Sequence, residues 1–332
     1  MVCPWYVSGL SMICQVTIRL LSEGAECIPV SRKHRFEFVA RATVARTGRR
    51  GGREDVIRHT ALRAQKAIDH AAATSFAAGG RLFLLLDYDG TLVRLRLRPE
   101  QATMSKRAAA LLHRLSVDPR VVVCIVTGRA SRSIRNVLGN LHVPLVANHG
   151  MEIDIPGHVW IHPSALRARR RLKVLEEKIR KSVGHIPGVL IEQKTHSLTV
   201  HVRRVAPGLR KEVLERAARL VRHDPRLVAA KGKSVVEILP RNAGHKGEAT
   251  LAVLRQYGFR TPDAVVYVGD DRNDEDAFAS LRKIAVTVRV GLGAATRAQY
   301  RVAGIGDVHA LLASVLRIAA ASVMCLLCVC HV

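Results

Sequence analysis

Short, continuous apolar segments recur along the chain from residue 81 onward, and longer helix-like segments separate them. The apolar segments are LFLLL (82–86), VVVCIV (121–126), PLVAN (144–148), VVYVG (265–269) and IAVTV (284–288). A strand that is apolar at every position is buried on both faces, as in a parallel sheet that helices cover. Segments with helical periodicity, such as KRAAALLHRLS and KGEATLAVLRQYG, stand between them. The pattern predicts an open, doubly wound α/β domain.

The middle of the chain has a different pattern. IEQKTHSLTVHVRR and KSVVEILP alternate polar and apolar residues, as half-exposed antiparallel strands do, and two helical stretches accompany them. This predicts an α+β module inserted into the α/β core, and such an insert can act as a lid. The predicted divisions are an N-terminal extension (1–78), the first part of the core (79–150), the α+β cap (151–240), and the rest of the core with an apolar tail (241–332).

The two ends of the chain carry weaker signals. VIRHTALRAQKAIDHAAATSFAA has helical periodicity and ends at the pair Gly79-Gly80, a helix stop signal. The tail 310–332 is apolar apart from Arg317 and is nearly as long as the roughly 20 residues of a membrane-spanning helix. HALLASVLRIAA also fits an amphipathic helix that closes a soluble domain. We expect the soluble form, with a weak membrane anchor as the alternative.

Composition and charge narrow the choice of partners. The formal net charge is +26, which would attract nucleic acids, anionic lipids or anionic metabolites. The arginines are spread over the whole chain, and aromatic residues make up only 4%, so the interleaved aromatics of base stacking are missing. We therefore expect no nucleic-acid partner. The seven cysteines show no disulfide framework, which predicts a reducing, cytoplasmic location.

The first apolar segment runs directly into two acidic residues, in LFLLLDYDGTL. Asp87 ends the predicted strand and Asp89 follows two residues later. Ligands of open parallel sheets bind at the carboxyl ends of the strands. Two carboxylates this close repel each other unless a cation is bound or one of them is protonated. Taken alone, the pair could also be two solvated aspartates at a strand end.

Other strand and helix ends bring further polar groups to the same rim of the sheet. An ammonium group at a helix start could face an anion together with the helix N-terminus. A hydroxyl and a guanidinium after a strand also suit an anion. These residues are Thr127 and Arg129 in TGR, Asp270, Asp271 and Asp274 in GDDRNDEDAF, and Lys246 in GHKGEA.

These motifs, in this order, resemble those of the haloacid dehalogenase (HAD) superfamily of phosphotransferases over about residues 81–310. The insertion between Thr127 and Lys246 matches the position of the C2-type cap. Within the superfamily, VANHGMEI, EQKTHSLTVHVRR and KSVVEILP are most similar to the trehalose-6-phosphate phosphatases. The implied fold class is α/β, with a HAD-like Rossmannoid parallel-sheet core and an inserted α+β cap domain.

The resemblance implies an activity and a role for each motif residue. It implies a Mg²⁺-dependent phosphatase that hydrolyses trehalose 6-phosphate through an aspartyl-phosphate intermediate, the last step of trehalose biosynthesis. Asp87 would be the nucleophile and Asp89 the general acid and base. Thr127 and Lys246 would bind the transferring phosphoryl group. The implied metal ligands are Asp87, the backbone carbonyl of Asp89, and Asp270, with Asp271 and Asp274 orienting them.

Further residues near the cleft are candidates for contact with the substrate. They are Tyr88, Arg129, Asn148, His149, Glu152, Lys194, Ser197, His201, Arg203 and Glu237. For the cap residues the alternative is a solvated strand face. Two alternatives to the activity also stay open. One is a HAD phosphatase or phosphomutase for another sugar phosphate, such as sucrose phosphate or a hexose phosphate. The other is a catalytically silent, basic binding protein.

Overall fold

The computed structural model describes residues 52–96, 99–232, 234–293 and 295–329. Its helices are α1 Gly52–Ala77, α2 Lys106–Ser116, α3 Ser131–Leu138, α4 Pro163–Val183, α5 Pro207–Val221, α6 Lys246–Gln256, α7 Asp274–Leu281 and α8 Ile305–Val329. Its strands are β1 Leu82–Asp87, β2 Val121–Val126, β3 Leu145–Ala147, β4 Glu152–Ile155, β5 His158–Ile161, β6 Leu190–Gln193, β7 Leu198–His201, β8 Leu227–Gly232, β9 Val235–Pro240, β10 Ala264–Gly269, β11 Val286–Val290 and β12 Tyr300–Val302.

A large sheet forms the centre of the described core. Its strand order is β12-β11-β10-β1-β2-β3-β4-β5, and every pairing from β12 to β3 is parallel. The five apolar segments of the sequence are all strands of this sheet, so the predicted fold class is confirmed. The chain leaves β1 toward β2 on one side and returns to β10 on the other. The order therefore reverses at β1, where open α/β sheets bind their ligands.

Helices cover both faces of the large sheet because β1 is apolar at every position. Leu82, Leu84 and Leu86 point to one face and pack in a cluster with residues of α1, α2, α3 and α8. Phe83 and Leu85 point to the other face and pack with residues of α6 and α7. Successive residues of a strand face opposite sides, so an unbroken apolar run supplies both layers at once.

The cap has a hydrophobic core of its own. Its antiparallel sheet has the order β6-β7-β9-β8, and α4 and α5 pack against it. The segment IEQKTHSLTVHVRR supplies the hairpin β6–β7, with Ile191 paired to Val200. The alternating pattern of this segment thus corresponds to strands that are covered on one face and face the large domain on the other.

Two of the predicted domain boundaries differ from the boundaries of the observed elements. Helix α1 lies within the segment 1–78, yet Ala64, Ile68 and Ala72 on one side of it are buried in the main core. Strands β4 and β5 lie within the segment 151–240, yet they pair with β3 in the large sheet. The cap elements therefore begin with α4. Strands β8 and β12 had no distinct signal, and residues 1–51 lie outside the described part of the chain.

Helix α8 closes one side of the core. Val308, Leu311, Leu312 and Val315 face inward, at the spacing expected for an amphipathic helix. The segment Ile305–Ser322 is also long and apolar enough to cross a bilayer, and 33% of it is buried in the protein. A helix that packs against the core of a soluble protein can be equally long and apolar. The packing of the inner side of α8 is therefore the more informative observation.

Candidate active site

The end of β1 and the start of α6 meet at the rim of the large sheet. The Nζ of Lys246 donates hydrogen bonds to Asp87 Oδ1 at 2.7 Å and to Asp274 Oδ1 at 2.8 Å. All three side chains are almost completely buried. The sequence placed Lys246 at a helix start, and the structure brings it between two acids that lie 159 and 28 residues away.

Burial and neighbouring charges act in opposite directions on these groups. Burial, together with repulsion from Asp274 and Asp270, raises the pKa of Asp87 well above its usual range, although Lys246 opposes this. Burial alone would lower the pKa of Lys246, but Asp274 and Asp87 outweigh it and raise that pKa. Lys246 therefore stays charged, and a further cation beside Asp87 would favour the charged form of its carboxylate.

Asp274 is held by several donors of the protein. Its Oδ1 accepts hydrogen bonds from Lys246 and from the Tyr267 hydroxyl at 2.8 Å, and its Oδ2 accepts one from the backbone N–H of Asp271 at 2.9 Å. Burial and the charge of Asp274 raise the pKa of Tyr267 well above its usual range, so its hydroxyl remains a donor. With both oxygens engaged, Asp274 fits an orienting role better than direct ligation.

A group of carboxylates fits a small, hard cation. Oxygens of Asp87, Asp270 and Asp274 all lie within 4.8 Å of one another. The carboxylate of Asp270 lies directly against Gly90, whose φ is +90°, and a Cβ at that position would overlap it. The glycine of DYDGTL therefore lets the β1 turn and Asp270 approach closely. An all-oxygen donor set of this kind suits Mg²⁺.

Asp89 points to a different partner. Arg129 donates from Nε and Nη2 to the two carboxylate oxygens of Asp89, both at 2.6 Å. The guanidinium also lies over the ring of Tyr88, 5.0 Å from its centroid. The Tyr88 ring is fully buried and its hydroxyl donates to the carbonyl of Ala102. Tyr88 therefore supports Arg129 from below, and its predicted contact with the substrate does not match this placement.

The rim of the sheet and the underside of the cap enclose one cleft of about 720 Å³. Most of the residues singled out from the sequence line it. They are Asp87, Asp89, Thr127, Arg129, His149, Lys194, His201, Arg203, Glu237, Lys246, Asp270 and Asp271.

Besides Tyr88, three predicted substrate contacts lie outside the lining of this cleft. Asn148, Glu152 and Ser197 are buried in a hydrogen-bonded network between core and cap. Asn148 donates from Nδ2 to Glu152 at 2.7 Å and accepts from the Ser197 hydroxyl at 3.3 Å. Glu152 also accepts from the backbone N–H and the hydroxyl of Ser131, at the start of α3. These residues hold the base of the cap rather than face the cleft.

Two cap residues bridge the cleft to the core. Lys194 donates from Nζ to the carbonyl of Gly128 at 3.1 Å, and Glu237 lies 3.2 Å from His149 and 3.7 Å from Lys194. Burial alone would raise the pKa of Glu237, but His149, Lys194 and Lys246 outweigh it and hold that pKa well below its usual range. The Glu237 carboxylate is thus charged, partly buried and close to the rim of the sheet.

The structure adds two cleft residues that the sequence did not single out. Glu192 accepts a hydrogen bond from His201 Nε2 at 2.8 Å, and Thr199 has a buried hydroxyl with no hydrogen-bond partner among the described residues. Glu192 is opposite Thr199 in the β6–β7 pairing, and Thr199 is opposite Glu237 in the β7–β9 pairing. The alternation of EQKTHSLTVH could have indicated Thr199, because it shares a strand face with His201.

Comparison with known proteins agrees with this arrangement. Residues 85–303 match the family described as trehalose-phosphatase. Trehalose-phosphate phosphatase B of Arabidopsis thaliana is 30% identical over 222 residues, which are 62% of this chain and 58% of that protein. Trehalose-6-phosphate phosphatase of Escherichia coli is 30% identical over 228 residues, 67% of this chain and 82% of that protein. The chain thus spans about three fifths of the length of the plant relative.

Solved structures show the same fold. A crystal structure described as a trehalose-6-phosphate phosphatase related protein superposes with a TM-score of 0.63 at 25% identity, covering 72% of this chain and 98% of that one. The C-terminal domain of trehalose-6-phosphate phosphatase from C. albicans superposes with a TM-score of 0.67 at 24% identity, covering 76% and 96%. The family match covers both parts of the core and the whole cap, so the chain belongs to the trehalose-phosphatase family of the HAD superfamily.

Proposed function

We propose that this protein hydrolyses trehalose 6-phosphate to trehalose and inorganic phosphate, as a Mg²⁺-dependent phosphoric monoester hydrolase. The arrangement of Asp87, Lys246 and Asp270 at the bottom of a cleft that the cap covers carries the proposal. We infer the sugar from the names of the relatives and the type of reaction from the geometry of the site.

Asp87 is the nucleophile in the proposed reaction. Its carboxylate attacks phosphorus, the bond from phosphorus to the sugar oxygen breaks, and an aspartyl-phosphate forms. Lys246 donates from Nζ to Asp87 and so fixes the attacking group, and its charge offsets the phosphoryl oxygens that approach it. Thr127, buried at the end of β2 on the same cleft, supplies a hydroxyl for these oxygens. Water then hydrolyses the intermediate.

Asp87, the backbone carbonyl of Asp89, and Asp270 would hold Mg²⁺. A divalent cation there supplies the positive charge that lets one anion approach another and favours the charged form of Asp87. This agrees with the upward pKa shift of Asp87, which burial and the neighbouring acids cause and which a cation would oppose. Asp274, held by Lys246 and Tyr267, and Asp271, through its backbone N–H, keep this side of the cluster in place.

Asp89 is the general acid and base of the proposed reaction. It lies two residues from the nucleophile on the same turn, where it can protonate the departing sugar oxygen and later deprotonate the hydrolytic water. Arg129 holds it with two hydrogen bonds and so fixes its direction before the substrate arrives.

The cap recognises the sugar. Any phosphate monoester satisfies the groups at the sheet rim, so discrimination rests on the cap side chains that face them across the cleft. Lys194, Glu237 and His201 provide charged and polar groups there, with Arg203 near the opening. A disaccharide has many hydroxyls that can pair with such groups. We also propose a cytoplasmic location, because the seven cysteines show no pairing framework.

Phosphate release measured with malachite green tests the proposal directly. We expect Mg²⁺-dependent release from trehalose 6-phosphate, its loss with EDTA, and its return when excess Mg²⁺ is added. Sucrose 6-phosphate, glucose 6-phosphate and mannose 6-phosphate form the comparison panel. Equal turnover of glucose 6-phosphate would keep the enzyme class and reject the substrate. No metal-dependent release from any member would leave the silent binding protein as the explanation.

Replacing Glu237 with alanine should separate sugar recognition from chemistry. The change removes a partly buried carboxylate of the cap, so kcat/KM for trehalose 6-phosphate should fall roughly ten- to hundredfold, the range for a lost hydrogen bond to a charged group. Hydrolysis of p-nitrophenyl phosphate, which has no sugar, should change less than about threefold by the same argument. Lys194→Ala should give the same split.

The exposed Glu215 on α5 of the cap provides a matched control. Glu215→Ala should leave both substrates unaffected. A parallel loss on both substrates in Glu237→Ala would mean that Glu237 maintains the cap structure, and the assignment of the sugar site would fail.

A further inference from the structure

A groove on the outer surface lies between α2 and α8, among residues that the proposed reaction does not use. It has a volume of about 640 Å³. Its floor consists of alanines and leucines, including Leu111 of α2 and Ala313 and Leu316 of α8. None of the lining residues belongs to the catalytic cleft.

Positive charges surround this apolar floor. Arg107 and Arg114 are exposed and seven residues apart, so they lie on the same side of α2. Arg317 is exposed on α8, and His309 completes the rim. No carboxylate is among the lining residues within the described part of the chain. Asp69 of α1 accepts a hydrogen bond from Ser314 of α8, and the charge of Arg317 acts on it.

Helix α8 continues beyond Ala319 with apolar sequence. Ala319 is the last residue of α8 whose side chain is seen buried, and its carbonyl accepts a hydrogen bond from Arg120 at 2.7 Å. From Ala320 the helix runs on to Val329 through the sequence AASVMCLLCV, which contains no charged residue. Ten helical residues extend roughly 15 Å.

We propose that the arginine rim of this groove and the apolar end of α8 form one docking surface for an anionic lipid bilayer. The end of α8 inserts at the level of the head groups and upper acyl chains, as interfacial helices do. Arg107, Arg114 and Arg317 bind the lipid phosphates around it. The contact is peripheral and reversible, because the first part of α8 stays packed in the core.

Charge and apolar character both favour this partner. The rim is cationic while the floor is apolar, and an anionic bilayer matches both properties at once. A second copy of this chain would bring the same arginines against each other. Their repulsion would stay uncompensated, because no acid is among the lining residues of the described part of the chain. The docking surface is independent of the proposed phosphatase activity.

Sedimentation of the full chain with sucrose-loaded vesicles tests the proposal. We expect binding to vesicles of phosphatidylglycerol with phosphatidylcholine, little binding to phosphatidylcholine alone, and release near 1 M salt, where the Debye length is about 3 Å. The triple variant Arg107→Gln, Arg114→Gln, Arg317→Gln should bind at least about tenfold more weakly, since each arginine near an anionic surface adds to the attraction. Deleting residues 323–332 should weaken binding by a similar factor.

A control variant of equal charge separates a defined surface from the net charge of the protein. Lys178→Gln, Lys181→Gln, Lys211→Gln removes three exposed cations from α4 and α5 of the cap. It should retain the binding of the unmodified chain, and all variants should keep their far-ultraviolet circular dichroism. Equal loss in both triple variants would overturn the proposal in favour of a diffuse charge effect. Vesicle-independent dimers that disappear when the tail is deleted would overturn it in favour of self-association.

Discussion

Asp87→Asn is expected to lower the turnover of trehalose 6-phosphate by at least about a thousandfold, or ~4 kcal/mol in the barrier. Asparagine keeps the shape of the side chain but cannot attack phosphorus as an anion. The neutral amide also replaces one carboxylate of the cluster with Asp270, so the cluster should bind a cation more weakly. Both losses act on the same step, so no residual activity near the original rate should remain at any Mg²⁺ concentration.

The fold should survive this change. Burial and repulsion from Asp274 and Asp270 disfavour a charge on Asp87, so a neutral amide removes an unfavourable interaction. Lys246 keeps Asp274 as a buried partner. The Tm and the circular dichroism spectrum should therefore stay close to those of the original protein.

Asp276→Asn is the matched control, because Asp276 is an exposed aspartate on α7, outside the cleft lining. It should retain full activity. Activity of Asp87→Asn within about tenfold of the original, ~1.4 kcal/mol in the barrier, would remove Asp87 from the role of nucleophile.

The sequence predicts the part of the site that follows from topology. Asp87, Thr127 and Asp270 each come directly after an apolar strand, and parallel strands end at the same edge of a sheet. Once β1, β2 and β10 are neighbours, these side chains must lie close together. Lys246 was predicted to face the same anion because it starts a helix, and it does contact Asp87.

The sequence does not predict the direction in which an individual side chain points. Tyr88 lies between two cleft residues, yet its ring turns inward because the backbone alternates there and Ala102 offers a carbonyl for its hydroxyl. Asn148 and Glu152 follow β3 in a motif that resembles a substrate loop. Asn148 has a φ of +48°, a left-handed conformation that directs it toward Glu152 and the cap. Such turns depend on contacts between segments far apart in the chain.

The same reason explains the domain boundaries. Strand β4, EIDI, alternates polar and apolar residues like the cap strands, because the hairpin β4–β5 is the antiparallel edge of the large sheet and not a buried parallel strand. Pattern alone assigns it to the cap. Only its pairing with β3 shows that the cap begins after it, with α4.

The second large effect concerns the proton donor. Asp89→Asn should lower kcat/KM for trehalose 6-phosphate by about 10²- to 10⁴-fold, the usual contribution of general acid catalysis. The departing sugar oxygen is a poor leaving group and needs a proton as the bond breaks. p-Nitrophenolate leaves without one, so kcat/KM for p-nitrophenyl phosphate should fall less than about tenfold. The ratio kcat/KM covers the steps up to the departure of the leaving group, so it isolates this role.

The later role of Asp89 gives an independent measurement on the same variant. Asparagine cannot deprotonate the hydrolytic water, so the aspartyl-phosphate should accumulate when p-nitrophenyl phosphate is the substrate. Rapid mixing should then show a burst of about one p-nitrophenolate per active site before a slow steady rate. Arg129→Lys is the matched comparison, because it keeps the positive charge beside Asp89 but loses the two-point hold of the guanidinium. It should show a milder loss on the sugar substrate and no burst. Equal losses on both substrates in Asp89→Asn, without a burst, would mean that Asp89 serves the cation or the fold and that another group carries the proton.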